Sequence, residues 1–337
     1  MSKTCNLKVG LLGGGSWGTT VASLVTRNAP VTIWARNPDT VEEINTQHSN
    51  ETYLPGATLP DKLVATNDIR EAVSGADVVV MGIPSQNFRK VLEEVKQHIR
   101  AWVPVISLTK GLELDTGMRM TEIINEVLPG HPVGVLTGPN LAREIMAGQA
   151  AASVIAMEDE IIVRELQKVF QSGLFRVYTN TDVIGCELGG VLKNIIAIAV
   201  GMGDGQGAGD NTRSALITRG LSEVTRLGVA MGGRPETFAG LAGMGDMIAT
   251  CTSPQSRNRH VGVELGKGRD MQDIIDDMVM VAEGAKSAPA VMALAEEYGV
   301  EMPIAADVYR VLSGDSNASR AFRGLLRVTA GAESEPG

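Results

Sequence analysis

A glycine-rich turn near the N-terminus restricts most strongly what this chain can fold into. Residues 13–18 read Gly-Gly-Gly-Ser-Trp-Gly and stand between an apolar run at 7–12 and a helix-like segment that begins at Thr19. In a G-x-G-x-x-G turn of this kind, the first glycine permits the bend, the second lets a pyrophosphate approach the backbone, and the third lets helix and strand pack closely. The helix N-terminus adds free N–H groups. The context therefore favours a dinucleotide site at Gly13, Gly15 and Gly18 over a merely structural turn.

The size and charge of the chain narrow the functional classes further. It has 337 residues, of which 44% are hydrophobic, so it is long enough for about two domains with sizeable cores. Acidic residues outnumber basic ones by 39 to 30, which gives a net charge of −9. This balance argues against general nucleic-acid binding, which needs a basic surface, but it leaves room for a local basic cluster that binds an anionic substrate.

Cysteine and histidine usage predicts neither a disulfide framework nor a metal site. The three cysteines are widely spaced, the four histidines are scattered, and neither set has the spacing of metal ligands. Unpaired cysteines fit a reducing cytosol. We expect no signal peptide, because residues 7–12 already read as the first strand, and no apolar run of transmembrane length.

The order of apolar segments predicts two domains. Strand-like and helix-like segments alternate up to about residue 180, and long Ala/Leu/Ile/Met stretches of helical period follow. Because the strands are apolar with little alternation, we expect an α/β fold: a Rossmann-type, doubly wound, mostly parallel sheet at 1–180 and an all-helical domain at 181–337. The predicted strands are 7–12, 31–35, 78–83, 103–108, 133–136, 152–156 and 175–178, and the predicted helices between them are 18–27, 38–47, 86–100, 117–127, 141–147 and 159–171.

The end of the second predicted strand bears on the choice of cofactor. An acidic residue there commonly holds the ribose hydroxyls of NAD, but this chain reads Trp-Ala-Arg-Asn at 34–37. A guanidinium can bind a 2′-phosphate with two hydrogen bonds, so Arg36 favours NADP(H). A solvated arginine in a turn is the alternative, and use of both cofactors stays open.

Polar groups follow two later strands of the predicted sheet. Lys110 comes after the strand that ends near Leu108, and Gly138-Pro139-Asn140 follows the strand at 133–136. Parallel sheets bind ligands beyond the carboxyl ends of their strands. We therefore expect Lys110 and the 138–140 turn to face the same crevice as the glycine turn, although a lysine in this place can also be an ordinary surface residue.

The helical half contains one lysine in apolar surroundings. Lys193 lies in a helix-like run at 187–201, where Gly189, Ala197 and Gly201 share its face. Loss of hydration there disfavours the charged amine, so Lys193 can act as a proton donor or acceptor near neutral pH, unless it merely extends to the surface. Residues 203–211 carry alternate glycines and are predicted to be a loop beside this site.

Two further segments supply polar groups to the helical half. Asp246 lies in a Gly-rich stretch at 240–250 among small residues, and Ser256-Arg257-Asn258 follows it. Charge-assisted hydrogen bonds from Arg257, together with Ser256 and Asn258, can bind a phosphate or a carboxylate. The alternative is an ordinary polar loop.

Taken together, these segments resemble the bacterial, soluble NAD(P)-dependent glycerol-3-phosphate dehydrogenases. The matching pieces run in order along nearly the whole chain: 13–18, 50–56, 110–111, 138–139, 190–194, 207–211, 243–246 and 256–258. The resemblance implies reversible hydride transfer between NAD(P)H and dihydroxyacetone phosphate, giving sn-glycerol 3-phosphate for phospholipid synthesis. It also implies a cytoplasmic enzyme, commonly a homodimer, with a Rossmann domain followed by a helical domain.

The resemblance also implies roles for individual residues. Lys193 would be the catalytic acid/base, oriented by Asp246, with Lys110 against substrate and cofactor. Substrate contacts would come from Lys110, Gly138, Asn140, Lys193, Asp246, Ser256, Arg257 and Asn258. Cofactor contacts would come from Gly13, Gly15, Ser16, Trp17, Gly18, Arg36, Tyr53, Lys110, Ala142, Arg257, Val281 and Glu283.

The chain departs from the family pattern at two of these positions. The family often has His where Arg36 stands, and usually Ser or Thr where Asn140 stands. The first departure bears on the preference between NAD and NADP, and the second on the role of that side chain. A related two-domain dehydrogenase acting on a hydroxy acid or an opine is the nearest alternative, because Arg257 and Asn258 would also suit a carboxylate. A nucleotide-binding sensor without catalysis is a more distant one.

Overall fold

The computed structural model describes residues 7–278 and 282–325, and it describes side chains up to residue 321. The described chain divides into two compact units. Within the described residues, the first comprises 7–109 and 118–183, and the second comprises 110–117, 184–278 and 282–325. The short segment 110–117, which the sequence analysis placed in the first domain, therefore belongs with the helical unit.

The first unit is built on one eight-stranded sheet. Its strands are β1 (Val9–Leu12), β2 (Val31–Trp34), β3 (Val64–Thr66), β4 (Val78–Met81), β5 (Val105–Ser107), β6 (Val133–Thr137), β7 (Ala151–Met157) and β8 (Phe175–Asn180). They lie in the order β3-β2-β1-β4-β5-β6-β7-β8. All neighbours pair in parallel except β6 and β7, so β7 and β8 run opposite to the other six. The predicted doubly wound, mostly parallel sheet is confirmed.

Helices pack on both faces of this sheet. They are α1 (Ser16–Val25), α2 (Pro38–Gln47), α3 (Ile69–Val73), α4 (Ser85–Lys96), α5 (Met120–Val127), α6 (Ala142–Met146) and α7 (Glu160–Phe170). On β4, Val78 and Val80 join one apolar cluster, whereas Val79 and Met81 join another on the opposite face. The strand is apolar throughout because both of its faces are buried. The sequence analysis missed β3 and α3, which are three and five residues long.

Every regular element described in the second unit is helical. The helices are α8 (Val183–Gly205, whose first residue belongs to the first unit), α9 (Asp210–Ala230), α10 (Pro235–Phe238), a π-helical turn at Leu241–Gly245, α11 (Asp246–Thr252), α12 (Arg257–Gly266), α13 (Met271–Asp276), α14 (Glu283–Glu297), α15 (Pro303–Leu312) and α16 (Ala318–Leu325). The predicted all-helical second half is thus confirmed for the described residues. Its core centres on α8, with Leu188, Leu192 and Ile196 fully buried.

Helix α8 corrects two expectations. The loop predicted at 203–211 was wrong at both ends, because α8 continues to Gly205 and α9 begins at Asp210, so the non-helical connection is only 206–209. The glycines near the end of α8 lie directly against α12: a Cβ on Gly205 would stand 2.8 Å from the Cα of Gly266. The expectation that no apolar run would reach transmembrane length was wrong as well, since α8 has 23 residues and a mean hydropathy of 1.8 over its most apolar stretch. That stretch is 94% buried inside the protein, as in a core helix.

Candidate functional site

The glycine turn has the backbone geometry that a close approach to an anion requires. Gly13 has φ of +122°, a conformation that side chains rarely adopt. A Cβ on Gly18 would collide with the carbonyl of Gly13, whereas a Cβ on Gly15 would have open space around it. Asn50 stabilises the turn, because its Nδ2 donates hydrogen bonds to the Gly14 carbonyl and to Thr19 Oγ1, both at 2.9 Å. The turn is therefore rigid and open at Gly15.

The residues around this turn fit a nicotinamide dinucleotide. Helix α1 begins at Ser16 and has no acidic residue in its first turn, so its free N–H groups and partial positive charge can meet a pyrophosphate. The Nε1–H of Trp17 is buried and has no hydrogen-bond partner among the described residues. A buried donor of that kind is normally satisfied by a ligand or a water molecule.

The other residues expected at the cofactor are found in several places. Arg36 is exposed and directly follows β2, next to Asn37, which caps α2. Tyr53 is half-buried in the segment after α2, and Ala142 is the first residue of α6. Val281 lies outside the described residues. Contacts of these residues with a cofactor stay predictions.

The turn after β6 carries the second group of sequence-predicted residues in the first unit. Gly138 has φ of +129°, and a Cβ there would lie 3.2 Å from the Cα of Ser153 on the neighbouring β7. The Asn140 Oδ1 accepts a hydrogen bond of 2.6 Å from Ser153 Oγ, while the Asn140 Nδ2 is buried without a described partner. Ser153 thus orients the amide of Asn140 so that its N–H donors are available. Because Lys110 belongs to the second unit, the crevice expected to join it to this turn stays a prediction.

The second unit brings three of the predicted catalytic residues together. Lys193 lies on α8, Asp246 begins α11, and Lys110 opens the 110–117 segment. The Lys193 Nζ donates to Asp246 Oδ1 at 2.6 Å, and the Lys110 Nζ donates to Asp246 Oδ2 at 2.7 Å. The Lys193 and Asp246 side chains are 6% and 2% exposed, whereas Lys110 retains 20%. One carboxylate therefore bridges a buried ammonium and a partly exposed one.

The protonation of Lys193 reflects opposing effects. Burial removes water from the ammonium and lowers the pKa of Lys193 to about 8, because the charged form is then less well solvated. The carboxylate of Asp246 opposes this shift, and the positive charge of Lys110 adds to it. An amine whose pKa lies near the working pH suits proton transfer in both directions.

Close packing explains how Lys193 can be buried next to Asp246. Gly189 lies one turn before Lys193, and a Cβ there would stand 2.7 Å from the carbonyl of Ala242, which precedes Asp246 by four residues. Small residues on both segments therefore let α8 approach the π-helical turn. Thr250, which the sequence analysis did not single out, also accepts a hydrogen bond from Lys193 and donates to the Asp246 carbonyl. Its place four residues after Asp246 on one helix is the signal that could have found it.

The predicted anion-binding residues lie at the start of α12. Ser256 caps this helix, with its Oγ accepting from Arg259 N at 3.2 Å. Arg257 and Asn258 are the first two residues of α12, so their backbone N–H groups point out of the helix N-terminus, and these groups as well as the Arg257 guanidinium can meet an anion. Arg257 is exposed to solvent, yet the surrounding protein partly desolvates its guanidinium and lowers its pKa, an effect that Glu283 opposes.

The side chain of Asn258 is engaged within the protein. Its Nδ2 donates to Asn194 Oδ1 at 2.9 Å, and its Oδ1 accepts from Gly284 N at 3.0 Å. Asn194 and Gly284 were not among the sequence-predicted residues, although Asn194 directly follows Lys193. Both the nitrogen and the oxygen of the Asn258 amide thus have a partner in the protein, so the side chain is held in one orientation.

Two family models together match most of this chain. The model of the NAD-dependent glycerol-3-phosphate dehydrogenase N-terminus matches residues 8–163, and the corresponding C-terminal model matches residues 182–323. A glycerol-3-phosphate dehydrogenase [NAD(P)+] of Sphingopyxis alaskensis is 72% identical over 98% of this chain and 99% of its own length. The chain belongs to the NAD-dependent glycerol-3-phosphate dehydrogenase family.

More distant members of the family agree with this assignment. A glycerol-3-phosphate dehydrogenase [NAD(P)+] of Mycobacterium avium is 54% identical over 97% of this chain and 96% of its own. The crystal structure of glycerol-3-phosphate dehydrogenase from Coxiella burnetii superposes with a TM-score of 0.91 at 36% identity, covering 96% of this chain and 99% of that one. The family, the fold class and the NAD(P)-dependent type of enzyme expected from the sequence are thereby confirmed.

Proposed function

We propose that this chain catalyses the reversible, NAD(P)H-dependent reduction of dihydroxyacetone phosphate to sn-glycerol 3-phosphate. The observation that carries the proposal is the buried Lys193–Asp246–Lys110 cluster in a chain of this family. Reduction of a ketone requires a hydride at carbon and a proton at oxygen. The nicotinamide cofactor supplies the hydride when it is bound.

Lys193 supplies the proton in this proposal. Its ammonium polarises the ketone carbonyl and donates a proton to the oxygen as negative charge develops there. Because the pKa of Lys193 is lowered to about 8, the ammonium gives up this proton more readily than a solvated lysine would. In the reverse direction the neutral amine accepts the hydroxyl proton. Asp246 holds the ammonium in place, and Thr250 limits its rotation.

The start of α12 binds the phosphate. The Arg257 guanidinium forms charge-assisted hydrogen bonds with the phosphate oxygens, and the backbone N–H groups at the helix N-terminus add to them. Lys110, which is hydrogen-bonded to the other oxygen of Asp246, contributes a second positive charge. An anchored phosphate places the carbonyl carbon at a constant position, which is how binding energy is converted into rate.

The glycine turn and its surroundings hold the cofactor. The backbone N–H groups at the start of α1 bind the pyrophosphate, and the exposed Arg36 after β2 meets the 2′-phosphate of NADP(H). We further propose that the enzyme works in the cytoplasm as a homodimer and that its product enters phospholipid synthesis. Size-exclusion chromatography with light scattering would test the dimer: a mass of one chain at micromolar concentration would overturn it.

The first experiment follows the loss of reduced nicotinamide absorbance when the purified protein meets dihydroxyacetone phosphate, with NADPH and NADH in parallel. We expect rapid oxidation, faster with NADPH. In Arg36→Ala the NADPH rate at low cofactor concentration should fall about tenfold while the NADH rate stays nearly the same, because only NADPH loses a phosphate contact. Pyruvate serves as the control substrate. Oxidation with pyruvate but not with the phosphorylated ketone would overturn the proposed substrate.

Lys193→Ala tests the proton donor. Turnover should fall by about 100-fold or more, in line with the loss of a general acid, while fluorescence titration still shows NADPH binding. Near-normal turnover in this variant would contradict the role of Lys193.

A further inference from the structure

Three helices of the second unit meet at a junction formed by Asn194, Asn258 and Gly284. Asn194 lies on α8, Asn258 on α12 and Gly284 on α14. The Asn258 Nδ2 donates to Asn194 Oδ1 at 2.9 Å, and the Gly284 N–H donates to Asn258 Oδ1 at 3.0 Å. All three residues are buried. A single amide side chain therefore connects all three helices, and its hydrogen bonds are shielded from water.

The junction is also closely packed. A Cβ on Gly284 would lie 2.8 Å from both the carbonyl carbon and the carbonyl oxygen of Asn194, closer than real Cβ atoms approach. The first turn of α14 thus rests directly on the backbone of α8. Because Gly284 is the second residue of α14, its N–H has no partner within the helix, and Asn258 satisfies it.

Each junction residue directly follows a residue of the proposed site. Lys193 precedes Asn194, Arg257 precedes Asn258, and Glu283 precedes Gly284. Arg257 and Glu283 also attract each other electrostatically. The acid/base, the phosphate ligand and a predicted cofactor contact are therefore each one residue away from the same hydrogen-bonded junction. A change in the junction is transmitted to all three through one peptide unit.

We propose that Asn258 is a positioning residue, whose side chain keeps Lys193, Arg257 and Glu283 in register by joining their three helices. This inference rests on the proposed function of those three residues. It gives the amide of Asn258 a role within the protein, through its hydrogen bonds to Asn194 and Gly284. Cofactor binding and phosphate binding then depend on the same side chain, through the helices that it joins.

Asn258→Ala is the first test. The dissociation constant of NADPH, titrated by protein fluorescence without substrate, and the KM for dihydroxyacetone phosphate should both rise about tenfold, since each buried hydrogen bond that is lost leaves an unsatisfied group. Asn317→Ala is the matched control. The Asn317 side chain also accepts a hydrogen bond from a helix backbone N–H, but the helix that it precedes, α16, carries no proposed site residue. Both constants should be unchanged in this variant.

Asn258→Asp separates positioning from mere stability. When protonated, the new carboxyl can donate to Asn194 Oδ1 and accept from Gly284 N, so it restores both hydrogen bonds. When the carboxyl is ionised, it has no proton to donate to Asn194 Oδ1, so that hydrogen bond is lost and two oxygens face each other. Burial and the neighbouring Glu283 raise the pKa of such a carboxyl, whereas the neighbouring Lys193 and Arg257 lower it, and burial is the larger effect. Relative to wild type at each pH, NADPH affinity should thus be nearly normal at about pH 5 and fall about tenfold by about pH 8.

The outcomes distinguish this inference from the proposed function. Unchanged NADPH affinity and KM in Asn258→Ala would overturn the positioning role, as would a pH-independent ratio in Asn258→Asp if Asn258→Ala does not fold. A wild-type protein that fails to oxidise NADPH with dihydroxyacetone phosphate would instead overturn the proposed function. The NADPH titrations would still report on the junction in that case.

Discussion

At Lys193, burial and the Asp246 carboxylate act on one ammonium in opposite directions, and burial is the larger effect. Full burial alone would leave a neutral amine at physiological pH, because the charged form loses its hydration. The carboxylate of Asp246 at 2.6 Å restores part of the lost stabilisation, and the resulting pKa is about 8. The lysine is therefore charged in most molecules at neutral pH, but it holds its proton less firmly than a solvated lysine does.

Removal of the carboxylate should shift the pH dependence of catalysis. In the proposed mechanism the ammonium form of Lys193 donates the proton, so kcat for ketone reduction should fall as pH rises through the pKa of about 8. In Asp246→Asn the favourable charge is lost while the charge of Lys110 remains, so the pKa of Lys193 decreases. The alkaline fall of kcat should move to lower pH by about 1 unit or more.

Rates of NADPH oxidation measured across the pH range check this shift. Asp77→Asn is the control. Asp77 and its ion-pair partner Arg100, 2.6 Å away, both belong to the first unit, whereas Lys193 belongs to the second. Asp77→Asn should leave the profile where it is. An alkaline fall at the same pH in Asp246→Asn and wild type would show that the carboxylate does not set the pKa of Lys193.

The guanidinium of Arg257 should matter only for a phosphorylated substrate. In Arg257→Ala the KM for dihydroxyacetone phosphate should rise about 10- to 100-fold, the usual effect of losing charge-assisted hydrogen bonds. The rate with unphosphorylated dihydroxyacetone, which has no phosphate for Arg257 to bind, should hardly change. Arg310→Ala removes an arginine from α15, and steady-state kinetics should show no effect there. Equal losses with both substrates would argue against a phosphate contact.

At the scale of elements, glycine-mediated contact between α8 and α12 supports the site. Gly201 and Gly205 on α8 face Gly262 and Gly266 on α12, and a Cβ on Gly201 would lie 2.9 Å from the Cα of Gly262. Glycine weakens an isolated helix, but here it permits backbone contact between two helices. That contact places the start of α12, with Arg257, against the helix that carries Lys193.

Gly201→Ala should therefore reverse the usual effect of this substitution. Glycine to alanine in a helix interior normally stabilises by about 1 kcal/mol. Here the new methyl group would collide with the carbonyl of Arg259, so the free energy of unfolding should decrease by about 1–3 kcal/mol. Urea denaturation would measure it. Gly75→Ala, where a Cβ would have open space, should stay within about 0.5 kcal/mol of wild type. A Gly201→Ala protein of unchanged or higher stability would contradict this packing argument.

At the scale of the whole molecule, the path of the chain does not follow its division into units. The segment Lys110–Gly117 leaves the first unit after β5 and returns before α5. It carries Lys110, which pairs with Asp246, and Leu112, which is fully buried in the core of the second unit. A residue from the first half of the chain thus helps to build the helical unit.

Leu112→Ala should consequently affect both stability and chemistry. Truncation of a buried leucine costs about 2–5 kcal/mol, and the loosened segment should displace Lys110 from Asp246. We expect a lower denaturation midpoint together with a shifted pH profile of kcat. Leu59→Ala, in the core of the first unit, should lower stability without shifting the profile. If both variants left the profile unchanged, Leu112 would have no role in placing Lys110.

Local chemistry explains why much of this architecture could be predicted. The glycine turn, the apolar strands and the change to helical period after residue 180 depend on neighbouring residues, so the sheet and the helical second half followed from the sequence. The short β3 and α3 did not, because three and five residues carry too little periodic signal. Lys193, Asp246 and Arg257 could be singled out by their residue types and surroundings alone.

The sequence by itself thus determined the fold class, the glycine turn between β1 and α1 and the chemically capable side chains, because each depends on residues close together in the chain. Only the tertiary structure decided which groups pair: that Asp246 bridges Lys193 and Lys110, that Thr250 completes the cluster, and that α8 remains helical to Gly205. Those outcomes depend on segments 53 to 136 residues apart. Contact over such distances is set by packing and burial, which outweigh the local preference of glycine for a loop.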